Sequence, residues 1–344
     1  MMSLLSPLRF RANPIPASGI RLAAGAVAAD MALTTPIGIA LNPGPAAANT
    51  VDDLIERARS VQRAGIDRVW FAQRFDFDSL SVAAVVGATV PGLRTGTSVV
   101  PINPRHPLVV ASQAQTAHAA SHRRFTLGLG LGARALEEPA FGVRTDRPIL
   151  RLREYLTVLR SVVTTGTADF TGETLAAAPP LPAAVPGGDG PDIVVAAMGP
   201  QAVAASGELA DGIVPFLAGP RTLGDDIVPR VQKAAHAAGR ARPRVVAGVA
   251  VVVTTDPDRV RAEAAGQMAF YDAIPSYRSV LDREGVATAA ELLVTGSETE
   301  VEAQLRRYVD AGATELLVTQ TDLGGAEDER ATWRFLGSIS GIGS

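Results

Sequence analysis

From Pro36 onward the sequence repeats one unit eight times: a short apolar run of β-forming residues, a loop marked by glycine or proline, and a longer stretch with helical spacing. The apolar runs are Pro36–Leu41, Ile66–Ala72, Arg94–Val100, Phe125–Gly130, Ile193–Ala197, Gly212–Pro215, Arg244–Val253 and Glu315–Gln320. Most lack the polar alternation of a half-solvated strand, so both faces must be covered, which is the condition of a parallel sheet clothed by helices. Eight such units close a (β/α)8 TIM barrel, an α/β fold. A doubly wound open sheet competes with it, because a count of strands does not prove closure.

The intervening stretches carry helix signals. Thr50 with Asp53 three residues on resembles a capping box, Leu54, Ile55, Ala58 and Val61 share one helical face, and Ala64-Gly65 ends it. Helices are expected from Ser79 to Thr89, Pro107 to Ala120, Arg147 to Val163, Gln201 to Ala210, Leu223 to Ala238, Asp258 to Ala273, Tyr277 to Glu284, Glu298 to Ala311 and Asp328 to Ser340. The repeat fails between Thr167 and Pro191, where proline and glycine are too dense for a helix, so residues 167–191 read as an inserted excursion with room for a short hairpin.

Residues 33–344 read as one domain, since no composition shift divides them. Residues 1–32 sustain no hydrophobic period and no continuous apolar core of a secretory signal, and they read as a poorly ordered extension. Met31, one residue before the periodic part, offers an alternative start.

Charge and composition narrow the chemistry. With 32 basic and 35 acidic residues the net charge is −3, so neither nucleic acid nor a membrane surface is an expected partner. The absence of cysteine excludes disulfides, thiolate nucleophiles and zinc-thiolate sites, and suits the cytoplasm. His118 and His122 are four apart on a helix, but without the glutamate of a zinc-protease motif they read as two solvated histidines, and no metal is expected. His106, alone in a proline-rich loop, could orient a ligand or bond a nearby carbonyl.

Gly128-Leu-Gly-Leu-Gly-Ala133 satisfies a lenient dinucleotide fingerprint, yet no long helix follows it, and close backbone packing at a barrel mouth is the better reading. Ala196-Ala-Met-Gly-Pro200 joins a strand to a helix start, where free N–H groups can hold a phosphate. Polar candidates at the strand ends are few: Gln73, Arg74 and Gln320. A site so short of carboxylates, thiols and metal ligands must borrow its reactivity from a bound cofactor.

The stretch from Arg94 to Pro107 forms a strand stopped by Pro101, Pro104 and Pro107. Together with Gly128-x-Gly130-x-Gly132, Ala197-Met-Gly-Pro200, Glu208-Leu-Ala-Asp-Gly212 and Tyr308-Val-Asp-Ala-Gly-Ala313, it resembles the bacterial luciferase-like superfamily of flavin and deazaflavin enzymes, and most of all its coenzyme F420-dependent oxidoreductases. The resemblance covers nearly everything from about Pro36 to about Gly337.

What it implies is a TIM barrel with an insertion, and a non-proline cis peptide at Ser98–Val99 that supports the middle ring of the cofactor. It further implies cofactor contacts from Ser98, Val99 and Gly130, a phosphate grip at Ala197, Met198 and Gly199, Phe216 and Gly219 nearby, and a homodimer built on helices beside the early strands. Where the sugar-phosphate dehydrogenases of the group carry Asp-His after the second strand this chain has Gln73-Arg74, and where they carry a glutamate after the fourth strand it has Ala133. Their acid and base are therefore not carried over, and Gln73 or Arg74 becomes the candidate to polarise a carbonyl. The expected activity is hydride transfer between coenzyme F420 and a small organic substrate. The alternatives are an FMN-dependent monooxygenase using reduced flavin and oxygen, and a cofactor-binding protein without turnover.

Overall fold

Eight parallel strands follow one another around a closed ring: β1 (Ile37–Ala40), β2 (Arg68–Phe71), β3 (Arg94–Thr97), β4 (Phe125–Gly130), β5 (Asp192–Ala196), β6 (Gly212–Ile213), β7 (Arg244–Val253) and β8 (Glu315–Thr319). Ile37 pairs with Leu316, so the last strand returns to the first, and the open-sheet alternative is set aside. This is a (β/α)8 barrel. The structure, a computed structural model, describes residues 33, 35–144, 146–188 and 190–341, and the expectation for residues 1–32 lies outside them.

Each strand sorts its side chains by parity. Trp70, Val194, Val214, Val246 and Leu317 form one cluster inside the ring, while their neighbours Val69, Phe71, Ile193, Val195, Val245, Leu316 and Val318 join the larger core against the helices. Trp70 fits inside because glycines flank it: a Cβ on Gly96 would lie 2.5 Å from the indole, and one on Gly38 would lie 2.7 Å from its nitrogen.

The barrel helices are α1 (Thr50–Arg63), α2 (Ser79–Thr89), α3 (Pro107–Ala120), α4 (Pro148–Thr165), α5 (Pro200–Leu209), α6 (Val228–Ala237), α7 (Glu298–Asp310) and α8 (Ala326–Ile339). Two sequence expectations need correction, and two further elements were not expected. Asn49, not Thr50, caps α1, accepting from the N–H groups of Val51 and Asp52, while Asp53 turns away to accept from the N–H of Gly44. The helix expected from Leu223 opens with a π-wound turn, Leu223–Ile227, before α6; Pro229 at the start of α6 has no N–H to give to the turn behind it. Arg134–Phe141 is a helix despite Pro139. Val294–Gly296 is a short strand beside β7, pairing Val251 with Val294.

Residues 167–191 do leave the barrel pattern, and Phe170–Thr171 and Ala176–Ala177 form the hairpin within them. After β3 the ladder breaks at Ser98–Val99, whose peptide bond is cis, and pairing to β4 resumes at Val100–Pro101. No helix among the described residues is long and apolar enough to cross a membrane.

Candidate active site at the C-terminal mouth

Three cavities meet at the end of the barrel where the strands finish, the end where barrels of this kind place their chemistry. The first, of about 260 Å³, is bounded by Ser98 and Val99 on one side and by Phe216, Tyr271 and Tyr277 on the other. The three aromatic rings stand edge to face, with centroids 5.3 Å apart for Phe216 and Tyr271 and 5.1 Å apart for Tyr271 and Tyr277. Burial pushes both tyrosine hydroxyls above their ordinary range, and for Tyr277 the neighbouring Tyr271 adds to it, so both stay protonated at neutral pH and can donate a hydrogen bond.

Glycines bring the wall close. A Cβ on Gly128 would lie 1.8 Å from the carbonyl oxygen of Thr97, and one on Gly130 would lie 2.6 Å from Val99. The glycine-rich end of β4 therefore serves backbone packing, as the sequence indicated.

The second cavity, of about 510 Å³, shares Ala196 and Tyr277 with the first and runs over Ala197, Met198 and Gly199 to the start of α5. Gly199 is in extended conformation with nothing within 4 Å of where a Cβ would stand. No side chain caps α5 and its first turn carries no acid, so its leading N–H groups are open to an anion. Arg283 fixes this turn: its Nη2 donates to the Met198 carbonyl at 2.9 Å and its Nη1 pairs with Asp226.

The third cavity, of about 420 Å³, shares Gly132 and Ala133 with the second and holds Gln73 and Arg74. Gln73 is committed to structure. Its Nε2 donates to the carbonyls of Arg74 and Phe77 at 2.8 and 3.0 Å, and its Oε1 accepts from the Ser79 N–H, the Ser79 hydroxyl and Arg105. Both of its N–H bonds are thus taken. Arg74 makes a two-point ion pair with Asp76 at 2.8 and 3.1 Å, and its hydrogen bond holds the Asp76 carboxyl below the usual range. Gln320 borders the first cavity in left-handed backbone, its Oε1 accepting from the Thr319 hydroxyl.

Ser98, Val99, Gly130, Ala197, Met198, Gly199 and Phe216 all line this composite mouth. Sequence reasoning missed four others. Tyr271 and Tyr277 are half of the four tyrosines in the chain and sit where the helical period after β7 falters, a signal that could have been used. Arg283 and Glu137 left no such trace. Glu137 is buried against the third cavity, where desolvation raises its pKa and the hydrogen bond from Asn103 partly offsets the rise.

The histidines belong elsewhere. His106 caps α3, its Nδ1 accepting from the Leu108 N–H, and its Nε2 meets the Ala176 carbonyl at 2.9 Å. His118 is buried rather than solvated, with Nδ1 3.1 Å from the Phe125 carbonyl. A further cavity, of about 520 Å³, opens at the opposite end of the barrel among paired charges: Glu315 bonds Arg68 at 2.8 Å and Arg244 at 2.9 Å. It is a structural ion cluster remote from the strand ends.

Comparison with known proteins agrees with this geometry. Over 187 residues the chain is 31% identical to a Mycobacterium tuberculosis protein that bears the name coenzyme F420-dependent oxidoreductase, a match spanning 49% of this chain and about half of that protein, 52%. The coenzyme F420-dependent tetrahydromethanopterin reductase of Methanopyrus kandleri superposes with a TM-score of 0.73 at 20% identity, covering 89% of this chain and 98% of that one. The oxygenating constituent of 3,6-diketocamphane monooxygenase from Pseudomonas putida, in complex with FMN, gives 0.73 at 16% identity, covering 89% and 98%. At such identities the superpositions establish the shared fold. The sequence model of the luciferase-like monooxygenases matches residues 31–315, most of the chain, and the protein therefore belongs to the luciferase-like monooxygenase family.

Proposed function

We propose that this chain is an oxidoreductase that binds coenzyme F420 across the barrel mouth and moves a hydride between it and a small organic substrate. The observation that carries the proposal is the continuity of two unlike spaces. A narrow slot between Val99 and the Phe216–Tyr271–Tyr277 wall opens into a groove that ends on the uncapped turn of α5. A flat ring system with an anionic tail fits both parts at once.

Bound F420 supplies a ring carbon that accepts and donates a hydride. The chain's own residues hold and orient it: Ser98, Val99 and Gly130 face the ring, and Ala197, Met198 and Gly199 offer backbone to the phosphate. Phe216 and the two half-buried tyrosines keep water from the ring. Arg74 stands on the substrate side; its pair with Asp76 is exposed and screened by water, so the guanidinium can turn to a substrate carbonyl. We further propose a homodimer through α2 and α3, where Val85 and Val109 are exposed valines.

FMN with oxygen is the second reading, favoured by the FMN-complexed neighbour at the same TM-score as the F420 reductase. Fluorescence titration of the purified protein with each cofactor separates them. Saturable binding of F420 with turnover of a ketone, enone or imine supports the first, and preference for FMN supports the second. Tight binding of F420 with no turnover of any such compound leaves a carrier protein, and binding of neither sinks both.

A further inference from the structure

The third cavity holds a combination that cofactor binding leaves unused. Phe75 is 73% exposed and Phe141 46% exposed, with ring centroids 5.8 Å apart, and Leu136 completes an open apolar wall beside Pro101 and Pro104. Exposed aromatic surface lining a concavity marks a place for a ligand. Facing it is one carboxyl group, Glu137, only 5% exposed. Its Oε2 accepts from Asn103 Nδ2 at 2.7 Å, and its Oε1 is buried without a partner among the described residues. Gly132 makes this burial possible, since a Cβ there would stand 2.0 Å from Oε1.

The charges around Glu137 are occupied elsewhere. Arg74 pairs with Asp76, and Arg105 pairs with Asp78 at 2.5 Å. On its own helix Glu138 takes Arg134 and Arg144, at 3.0 and 2.7 Å. Among the described residues no cation bonds Glu137, so burial favours the protonated acid, which then carries an O–H in need of an acceptor.

We propose that this cavity is the binding chamber for a neutral, largely apolar molecule with a carbonyl oxygen, an aryl or polycyclic ketone in chemical class, and that protonated Glu137 donates a hydrogen bond to that oxygen. A phosphorylated or doubly charged substrate would meet an apolar wall and a buried carboxyl group there. The assignment deepens the oxidoreductase reading by naming its substrate class, and rests on it for the word substrate, whereas the binding step needs no cofactor.

The test is calorimetric titration of the cofactor-free protein with 2-acetonaphthone and with naphthalene, with circular dichroism to confirm folding at each pH. The ketone is expected to bind more tightly than the hydrocarbon at low pH, and to lose roughly tenfold in affinity once the pH has risen past the point where Glu137 ionises. Glu137→Gln keeps an N–H donor and should bind the ketone with no pH dependence. Glu137→Leu should bind ketone and hydrocarbon alike, and Phe75→Ala should weaken both. A pH-independent affinity in the unaltered protein, a ketone preference that survives Glu137→Leu, or no binding of either probe would overturn the proposal. Failure of F420 to bind in the separate titration would instead overturn the cofactor reading and leave this one standing.

Discussion

Arg283 Nη2 lies 2.9 Å from the carbonyl oxygen of Met198, and this one hydrogen bond ties the helix Pro275–Glu284 to the turn ahead of α5. With Asp226 anchoring the same guanidinium, Arg283 keeps the N–H groups of α5 aimed into the groove. Arg283→Ala should therefore weaken cofactor binding by roughly tenfold while lowering stability by about 2 kcal/mol, the scale of a charge-assisted hydrogen bond. Fluorescence titration beside thermal melting reads both, and an unchanged affinity would remove the anion site from the scheme.

Gly199 offers a cleaner probe of the same place. Its backbone is extended, not left-handed, and open space surrounds the missing side chain, so Gly199→Leu should fold normally. The leucine would occupy the groove, and affinity for the cofactor should fall at least tenfold with the melting temperature within a few degrees. Equal loss of folding and binding would argue against the phosphate assignment.

Gly128→Ala should behave in the opposite way. Its new methyl group would press on the carbonyl of Thr97, which is held in the barrel, so the backbone must shift. A loss of about 3 kcal/mol or more is expected in urea unfolding.

The pH dependence of stability should report Glu137. Its folded-state pKa is raised, so the folded protein holds this proton more tightly than the unfolded chain. Stability from this group is complete at low pH and falls as pH rises from the ordinary glutamate range up to the raised value, then stays flat. Glu137→Gln should abolish that part of the decline, visible as a difference between the two unfolding profiles; parallel profiles would mean that the carboxyl is not perturbed.

At the other end of the barrel, Glu315 is buried between Arg68 and Arg244. Burial alone would lower the pKa of Arg244, but Glu315 and Asp192 beside it reverse this and leave it raised. Glu315→Gln removes the buried carboxylate that bridges two guanidinium groups, leaving Arg68 to Asp67 and Arg244 to Asp192, and should cost about 3 kcal/mol, with cofactor affinity unchanged.

Val109 on α3 is 49% exposed, and the proposed dimer would cover it. Val109→Glu should shift the protein toward monomer in light scattering, and a monomeric starting protein would refute the dimer.

Much of this was legible in the residues because it depends on short-range pattern. The ten-residue strand Arg244–Val253 and the helix Pro107–Ala120 coincide with their expected bounds, since apolar runs and a proline at a helix start act locally. The Ala197–Gly199 turn was visible for the same reason. The partners of Gln73 at Phe77, Ser79 and Arg105 were not legible, because they depend on how the loop folds back onto α2. Glu137 and Glu138 are adjacent in sequence and indistinguishable there, but the helix Arg134–Phe141 turns one inward beside Asn103 and leaves the other to Arg134 and Arg144.

The sequence by itself determined the eight strand–helix units, the inserted hairpin and the small-residue turn that can meet a phosphate, because each follows from the conformational preferences of neighbouring residues. Tertiary structure alone decided that the sheet closes through Ile37 and Leu316, that Tyr271 and Tyr277 wall a slot with Phe216, and which carboxyl is kept from water. Closure and burial are properties of residues brought together from distant parts of the chain, and no local pattern encodes which side chain will find itself without solvent.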